Sequence, residues 1–458
     1  MSTGTRVSKD ANLDYLAVSK NMILPQITLG VTPAGPAGSL GYSVSDGEVY
    51  YSNGTVWVPI RGPRLRLNLT QSLSRPCDFL GQPKFSDDST QLFIGYVNNP
   101  PNQLIDIFSL NQTTGQVTLT KQLPVDPLWP NVWDGDVTGD FTLCSVVDAL
   151  YDPGVPDNAR IRILDTNFNV LATRTFSTGP AVQGGLIFGG HFTSDKKYVT
   201  FSYSNYDPDP MNVTTIQYIL NVSDLSTYAV ATLPGFDINS PIPFTLNGSM
   251  YLSYQQTNGA PYSPVLATPP YYSSVYLIAS GTLTLVDQKL LPRFSEKDVV
   301  VYADGARIAH GGFCSLFPDQ VSPYESNEGE LTSLPDDNAE ARVFNFDGTS
   351  LQLVIKQSVN CCNRTTIWPP GDGKIFLLGQ NTIISPPPAP RTIDREFYGL
   401  VSLSGAPGSL EFVPITLPQQ DVTHNIPAFS SDGRWLARVG STTSNGINNI
   451  QILHITGF

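Results

Sequence analysis

Four histidines are the residues of this 458-residue chain best suited to acid–base chemistry near neutral pH: His191, His310, His424 and His454. His424 lies close to Asp421 in the sequence, and a fold that brought it to Asp134 or Asp136 would create a metal site or an acid–base pair. A structural or solvent-facing role is the preferred interpretation for each histidine. The chain has no Gly-x-Ser-x-Gly, P-loop, His-Glu-x-x-His or dinucleotide-binding motif. We therefore expect no catalytic residue, no metal and no cofactor.

The cysteines and the acidic clusters predict no further site. An odd number of widely scattered cysteines argues against a disulfide framework or a zinc site, and these are Cys77, Cys144, Cys314, Cys361 and Cys362. The vicinal pair at 361–362 is interpreted as two bystander thiols rather than a redox pair. Asp207 and Asp209 lack the spacing of an EF-hand loop, so calcium binding is only weakly indicated.

The composition excludes several classes of protein. The net charge is −13 and only 14% of residues are charged, so the basic footprint of a nucleic-acid-binding protein is missing. No apolar run approaches the roughly 20 residues of a membrane span, which predicts no membrane insertion. The N-terminus lacks the apolar segment of a signal peptide. Short alternating runs outnumber helical patterns, and the chain is predicted to be acidic and all-β.

A sequence unit recurs seven times after residue 74. Its marker is a short alternating run found at 104–110, 160–164, 215–220, 274–278, 341–346, 397–403 and 449–455, and equivalent positions within it recur at a nearly constant spacing. Two more runs, joined by a turn such as Asn247-Gly248 or Ser431-Asp432-Gly433, precede each marker. A fourth run follows six of the seven. Four antiparallel strands repeated seven times predict a seven-bladed β-propeller. The segment 429–437 resembles blades of WD-repeat and YVTN-type propellers.

The missing fourth strand of the last repeat is predicted to come from the beginning of the ring. In the run 62–74, Leu65, Leu67 and Leu69 alternate with polar residues, as in a strand with one buried face. We expect this run to pair with 449–455 and so to complete the last blade and close the ring. The chain then divides into an N-terminal arm (1–22), a small β-module (23–60) and the propeller (61–458). Residues 1–22 are interpreted either as a mobile tail or as a docking arm.

The segments between the second and third runs of repeats four to six are unusually long, at 255–272, 311–340 and 380–396. Long loops on a rigid scaffold often carry binding sites, and aromatic residues and proline suit an interface. We predict a binding face built from Tyr262, Tyr271, Tyr272, Tyr324 and Pro387. The alternative is a cap that packs on itself and binds nothing.

The module 23–60 carries turn dipeptides at Asp46-Gly47 and Asn53-Gly54 between short alternating runs, which predicts a small β-meander. Its residues Leu40-Gly-Tyr, Asp46-Gly47, Tyr50-Tyr-Ser-Asn-Gly, Trp57 and Pro59 closely resemble a short repeat of structural proteins of giant DNA viruses and of phage tail and fibre proteins. Bacterial surface proteins carry similar hairpins. The resemblance implies a virion-associated structural or surface protein that assembles with other virion proteins or with itself. The assembly contacts would come from Tyr50, Tyr51, Trp57, Leu65, Leu67 and Leu69.

The resulting hypothesis is a protein of the viral particle that acts by binding rather than catalysis. Its arm and module would attach it to the particle, and its loop face would meet a partner such as a host protein or glycan. Two alternatives remain open. One is a propeller enzyme of the lactonase, glycosidase or lyase type with a site at the channel mouth, and the other is a cellular protein-interaction scaffold.

Overall fold

The computed structural model describes residues 25–28, 31–43, 48–59, 66–76, 79–80, 83–97, 103–129, 131–150, 157–179, 187–205, 214–237, 241–257, 271–291, 294–301, 307–314, 339–359, 364–368, 374–383, 392–402, 411–414, 426–442 and 447–456. The chain divides into two compact units, Met1–Leu65 with Gly457–Phe458, and Arg66–Thr456. Every regular element among the described residues is a β-strand, so the all-β prediction is confirmed. No helix in this part of the chain is long and apolar enough to cross a membrane.

Unit one contains a four-stranded sheet in the order β1-β2-β3-β4, with β1 at Gln26–Ile27, β2 at Leu40–Ser43, β3 at Glu48–Ser52 and β4 at Trp57–Pro59. Strands β2 to β4 are antiparallel, as predicted for a meander, whereas β1 pairs with β2 in parallel. The long connection between β1 and β2 brings the chain back to its starting side, which allows the parallel pairing. The predicted Asn53-Gly54 turn is present, and Asn53 Oδ1 accepts the backbone N–H groups of Thr55 and Val56 at 2.9 Å.

Unit two begins with β5 (Arg66–Pro76) and contains seven antiparallel sheets among its described residues. Sheet one comprises β6 (Phe79–Leu80), β7 (Lys84–Phe85), β8 (Gln91–Val97), β9 (Gln103–Leu110) and β10 (Val117–Pro124). Sheet two comprises β11 (Asn131–Val137), β12 (Leu143–Leu150), β13 (Asp157–Asp165) and β14 (Val170–Gly179). Sheet three comprises β15 (Ile187–Phe192), β16 (Tyr198–Asn205), β17 (Thr214–Asn221) and β18 (Thr227–Pro234). Sheet four comprises β19 (Phe236–Asp237), β20 (Ile242–Leu246), β21 (Ser249–Thr257), β22 (Tyr271–Ala279) and β23 (Thr282–Leu291).

The remaining sheets repeat the same order. Sheet five comprises β24 (Phe294–Val301), β25 (Arg307–Cys314), β26 (Ala339–Phe346) and β27 (Leu351–Val359); sheet six comprises β28 (Arg364–Trp368), β29 (Lys374–Ile383), β30 (Thr392–Ser402) and β31 (Glu411–Pro414). Sheet seven comprises β32 (Ile426–Phe429), β33 (Trp435–Thr442), β34 (Ile447–Thr456) and β5. Each sheet therefore has one end with its tight turns, here called the turn end, and an opposite end with its second-to-third connection, here called the connection end.

A hydroxyl–carboxylate turn joins β7 to β8, β11 to β12, β15 to β16 and β32 to β33, in sheets one, two, three and seven. A Ser or Thr hydroxyl donates a hydrogen bond of 2.6 to 2.8 Å to the carboxylate of the Asp two residues later. The same hydroxyl accepts a hydrogen bond from the backbone N–H of the first residue of the next strand. The pairs are Ser86 and Asp88, Thr138 and Asp140, Thr193 and Asp195, and Ser430 and Asp432. The next residue has positive φ in all four turns, between 58° and 71°. These local hydrogen bonds compete well with extended chain and so fix where each hairpin turns.

Apolar residues on facing strands bury five shared cores between neighbouring sheets. These cores join sheet seven to one, one to two, two to three, three to four and four to five, and their fully buried members include Ile452, Val146, Phe201, Leu252 and Ile308. First strands of neighbouring sheets also contact one another. These contacts join β24 of sheet five to β28 of sheet six, β28 to β32 of sheet seven, and β32 to β7 of sheet one. Burial of these faces is the main source of stability, because each sheet alone would expose both of its faces.

Strand β5 is the predicted N-terminal strand, and it pairs antiparallel with β34. The sequence predicted a single buried face that includes Leu69, but Leu69 is 41% exposed. The reason is a register shift in the pairing between Ile452 and Leu453, which inserts Thr70 as an extra residue and reverses the alternation beyond it. Leu73, on the other side of this bulge, packs against the core shared by sheets seven and one.

Candidate functional site

Three polar residues occupy the same position in successive repeats. Lys84, Asp136 and His191 each lie two residues before the hydroxyl of the turn described above, in the first strands β7, β11 and β15. Since consecutive sheets pack side by side, this shared position brings the three side chains together although they belong to three different repeats. We call these three residues the inner-strand cluster.

Asp136 is the centre of the inner-strand cluster. Its Oδ1 accepts a hydrogen bond from Lys84 Nζ at 2.8 Å, and its Oδ2 lies 3.5 Å from His191 Nδ1. Lys84 Nζ also donates to the carbonyl of Val137 at 2.6 Å. The Asp136 side chain is 10% exposed, against 20% for His191 and 40% for Lys84. A buried carboxylate thus contacts a lysine and a histidine side chain, both of which reach solvent.

The electrostatics keep this carboxylate ionised. Burial alone would raise the pKa of Asp136, but the charge of Lys84 and the hydrogen bond and charge of His191 outweigh it and hold the pKa well below its usual range. Burial alone would lower the pKa of His191, but the hydrogen bond to Asp136 and the charges of Asp136 and Asp134 raise it. The raised pKa of His191 and the lowered pKa of Asp136 both favour the carboxylate–imidazolium form of the pair.

The backbone around the cluster is fixed by hydrogen bonds from sheet two to sheet three. Asp134 Oδ2 accepts the N–H of Gly189 at 3.0 Å, and Ser145 Oγ donates to the carbonyl of Gly190 at 2.5 Å. Gly189 and Gly190 have φ of 138° and 90°, values that favour glycine. A Cβ at Gly189 would lie 2.6 Å from the carbonyl oxygen of Thr200, so the close approach of the two strands requires glycine there.

The inner-strand cluster could bind an anionic group or move a proton through His191 Nε2, because Asp136 holds the ring at Nδ1. Sequence reasoning selected Asp136 but assigned His191 a structural or solvent-facing role and did not consider Lys84. The signal that would have found them is the alignment of the repeats on the turn hydroxyl. His424 and Asp421 lie outside the described residues. Within the described ranges, no group of three or more His, Cys, Asp or Glu residues could hold a metal.

The segments predicted to build the binding face are shorter than the sequence suggested. Tyr271 and Tyr272 belong to β22, and residues 255–257 belong to β21, so the segment between these strands is 258–270. Strands β29 and β30 similarly reduce the segment of sheet six to 384–391. Measured between the described strands, the longest second-to-third connections are those of sheets four and five, at 258–270 and 315–338. The ladders extend further than the apolar pattern because backbone pairing does not require an apolar side chain. Tyr262, Tyr324 and Pro387 lie outside the described residues.

The residues predicted for assembly have different environments within their own units. In unit one Tyr50 is buried, Tyr51 is 39% exposed, and Trp57 Nε1 donates to the carbonyls of Thr32 and Pro33 at 3.2 and 3.1 Å. Tyr50 and Trp57 therefore contribute to the interior of the small sheet, which leaves Tyr51 as the exposed aromatic of the three. Leu67 lies in β5, and Leu65 lies outside the described residues.

No known protein family matches the chain, and no curated protein matches it. Similar solved structures include the C-terminal WD40 domain of Sif2, with 8% identity over 85% of this chain and 99% of that one and a TM-score of 0.45. Hydrazine synthase of Kuenenia stuttgartiensis matches with 13% identity over 84% and 98% and a TM-score of 0.48. A putative 6-phosphogluconolactonase from Bacteroides fragilis matches with 12% identity over 81% and 100% and a TM-score of 0.44. At these scores the similarities carry no argument about ligand or activity.

Proposed function

We propose that residues 66–456 form a seven-bladed β-propeller, closed by β5 in the last blade, that acts by binding a partner at the connection ends of sheets four and five. Support for the ring comes from the cores shared by successive sheets, including the core between sheets seven and one. Support for the binding role comes from one observation. The connections 258–270 and 315–338 of sheets four and five are much longer than those of the other sheets, of which 206–213 and 384–391 are the longest.

Sheets four and five share a core in which Val275 and Ile308 are fully buried and Phe346 packs edge-on against Tyr251, with ring centroids 5.0 Å apart. This core joins the two sheets that carry the long connections, and its members Tyr251, Ile308 and Phe346 lie towards the turn ends of their strands.

The association with a viral particle remains a proposal that rests on the resemblance of residues 23–60. It assigns attachment to unit one, with Tyr51 as an exposed aromatic contact, and partner recognition to unit two. A deletion of residues 1–60 tests the attachment separately from the binding. The shortened chain should no longer join particles, and normal incorporation would refute the attachment role.

The binding role is tested by loop exchange in the full chain. A variant in which 258–270 and 315–338 are replaced by short Gly-Ser linkers is compared with a matched control in which 206–213 is replaced. All three chains are applied to a glycan array and to purified proteins of the source particles. The control should retain the interactions of the natural chain and the double-loop variant should lose them. Equal binding by the double-loop variant, or no interaction by any chain, would refute the proposal.

A second candidate function, acid–base catalysis, is favoured by the Asp136–His191 pair. An enzyme of this kind would hydrolyse members of an ester, lactone and glycoside panel. Its activity would be lost in His191→Gln and retained in His454→Gln, because His454 stacks on Trp435 away from the cluster, with ring centroids 4.5 Å apart. Absence of turnover by the natural chain, or equal loss in both variants, would reject this candidate.

A further inference from the structure

A cleft opens between sheets three and four at their turn ends. Its volume is about 320 Å³, within the range of small-molecule sites. One wall is Tyr198 of β16 and Tyr228 of β18, and the floor is formed by apolar residues of sheet four, including Met250 and Ile278. All ten residues that line the cleft belong to the described part of the chain. The cleft lies at the opposite end of sheet four from the long connection.

A tight turn of sheet four borders the cleft. The turn between β20 and β21 has Asn247 and Gly248 at φ of 51° and 78°, the signature of a tight type I′ hairpin. A Cβ at Gly248 would meet no atom within 4 Å. The two sheets are joined beside the cleft by a hydrogen bond of 2.9 Å from the N–H of Gly281 to the carbonyl of Tyr228. This backbone hydrogen bond fixes the two sheets to each other next to the Tyr228 side of the cleft.

The aromatic wall consists of two phenol rings in contact. The centroids of Tyr198 and Tyr228 are 4.3 Å apart at an interplanar angle of 37°. Burial, together with the neighbouring Tyr228, raises the pKa of Tyr198, so this ring carries its neutral phenol group at physiological pH. The π faces and oxygens of such rings attract cations.

Charge adds a second, independent preference for a cation. Asp195 lines the cleft, and none of the ten lining residues carries a positive charge. Burial would raise the pKa of Asp195, but hydrogen bonds from Thr193 and Lys197 lower it, so its carboxylate is ionised. Lys197 Nζ is 3.4 Å from Asp195 Oδ2, but its side chain is 71% exposed and outside the cleft, and such exposed pairs are easily rearranged.

We propose that this cleft binds an organic cation, an alkylammonium or guanidinium group, between the Tyr198–Tyr228 wall and the Asp195 carboxylate. The apolar floor would receive the alkyl part of the ligand while the two rings and the carboxylate contact its charge. The group comes either from a free small molecule or from a Lys or Arg side chain of another protein. The proposal does not depend on the binding role of the long connections, because the cleft lies at the other end of the sheet.

The test uses the full chain and four probes, followed by calorimetry and ligand-observed NMR. Choline is compared with 3,3-dimethylbutanol, its neutral isostere, and N-acetyl-Gly-Arg-Gly-amide with the corresponding Gln peptide. Both cations should bind and both neutral probes should not. Choline binding tighter than the Arg peptide would assign a free small molecule as the source, and the reverse would assign a protein side chain.

Variants localise the binding. Tyr228→Leu should weaken cation binding about two- to thirtyfold, the range expected for loss of a cation–π contact, whereas Tyr228→Phe keeps the ring and most of the affinity. Asp195→Asn should weaken binding and remove its dependence on salt. Asp224→Asn is the matched control, because Asp224 also accepts hydrogen bonds within a turn of sheet three but does not line the cleft.

Four results would overturn the proposal. One is the absence of saturable binding by either cation. Another is equal binding of choline and its neutral isostere. A third is an Asp195→Asn affinity equal to that of Asp224→Asn, with thermal melts showing that both variants are folded. Loss of binding in all variants, including Asp224→Asn, would also refute it because the effect would then be unrelated to the cleft.

Discussion

Gln71 fastens the N-terminal strand β5 to sheet one, and its replacement tests this junction directly. Its Oε1 accepts the backbone N–H of Val117 at 2.6 Å, and its Nε2 donates to the carbonyl of Val117 at 3.3 Å. Val117 is 5% exposed and belongs to the core shared by sheets seven and one. Gln71→Met keeps the volume and length of the side chain while removing both hydrogen bonds.

The expected loss follows from the two backbone groups of Val117. A shielded N–H or C=O without a partner costs about 1–3 kcal/mol. In Gln71→Met both backbone groups of Val117 lose their partner but recover part of their hydration at the edge of β10, so we expect the free energy of unfolding to fall by about 2–4 kcal/mol. Thr70 adds hydrogen bonds of 2.9 Å to the carbonyl of Ile452 and 3.1 Å to that of Gly115, which remain in the variant. The junction is thus weakened rather than abolished.

Urea denaturation followed by tryptophan fluorescence measures the effect, since Trp435 is 1% exposed beside this junction and its Nε1 donates to Gln112 at 3.2 Å. Gln116→Met is the matched control, because Gln116 lies in the adjacent turn with an exposed side chain. The control should stay within about 0.5 kcal/mol of the natural chain. A Gln71→Met variant as stable as the control would show that β5 is not fastened to sheet one in this way.

Three further results are expected. The raised pKa of His191 makes its contribution to stability complete below pH 6.5 and lost as the pH rises through the folded pKa. The lowered pKa of Asp136 makes its contribution complete above pH 3.8 and lost as the pH falls below that value, so it is constant near neutral pH. Urea midpoints of the natural chain should therefore decline above pH 6.5, and those of His191→Gln should not. Burial raises the pKa of the Cys144 thiol, so this thiol should not react with Ellman's reagent in the native state. Cys144→Ala should therefore leave the number of reactive thiols unchanged in the native state and lower it by one in denaturant. Burial raises the pKa of Tyr276 to about 12, and burial together with the neighbouring Tyr218 raises the pKa of Tyr203 to about 12. In an ultraviolet titration, Tyr276→Phe should therefore lose one tyrosine ionisation near pH 12. An unchanged curve in this range would contradict the expectation.

The repeat and its turns were accessible from sequence because they depend on local chemistry. The hydroxyl and carboxylate of Thr193 and Asp195, or of Ser430 and Asp432, specify a turn within a short stretch and need no information from the rest of the chain. The Asn247-Gly248 dipeptide likewise predicts its hairpin. These signals, repeated along the chain, were enough to predict an all-β protein of four-stranded units.

The errors arose where distant strands decide the outcome. The bulge at Thr70 depends on the register between β5 and β34, which are separated by almost the whole chain, and no local pattern marks it. Tyr271 and Tyr272 were predicted in a loop because the prediction followed the apolar alternation. The hydrogen-bonded ladder of β21 and β22 continues beyond that alternation and includes both residues. Position within the repeat, rather than neighbouring sequence, brings the charged residues of the inner-strand cluster together.

The seventh sheet shows that this cluster is not required by the fold. Ala428 lies two residues before the turn hydroxyl of Ser430, the position that Lys84, Asp136 and His191 occupy in sheets one to three, and Ala428 is 6% exposed within a hydrophobic core. The same turn therefore forms with a small apolar residue at this position. Burying a carboxylate there costs desolvation energy that only well-placed cations offset, and an apolar side chain would avoid that cost. Conformational stability alone does not explain three charged residues at this position, which makes the inner-strand cluster the first place on unit two to examine for a bound anion or a proton-transfer step.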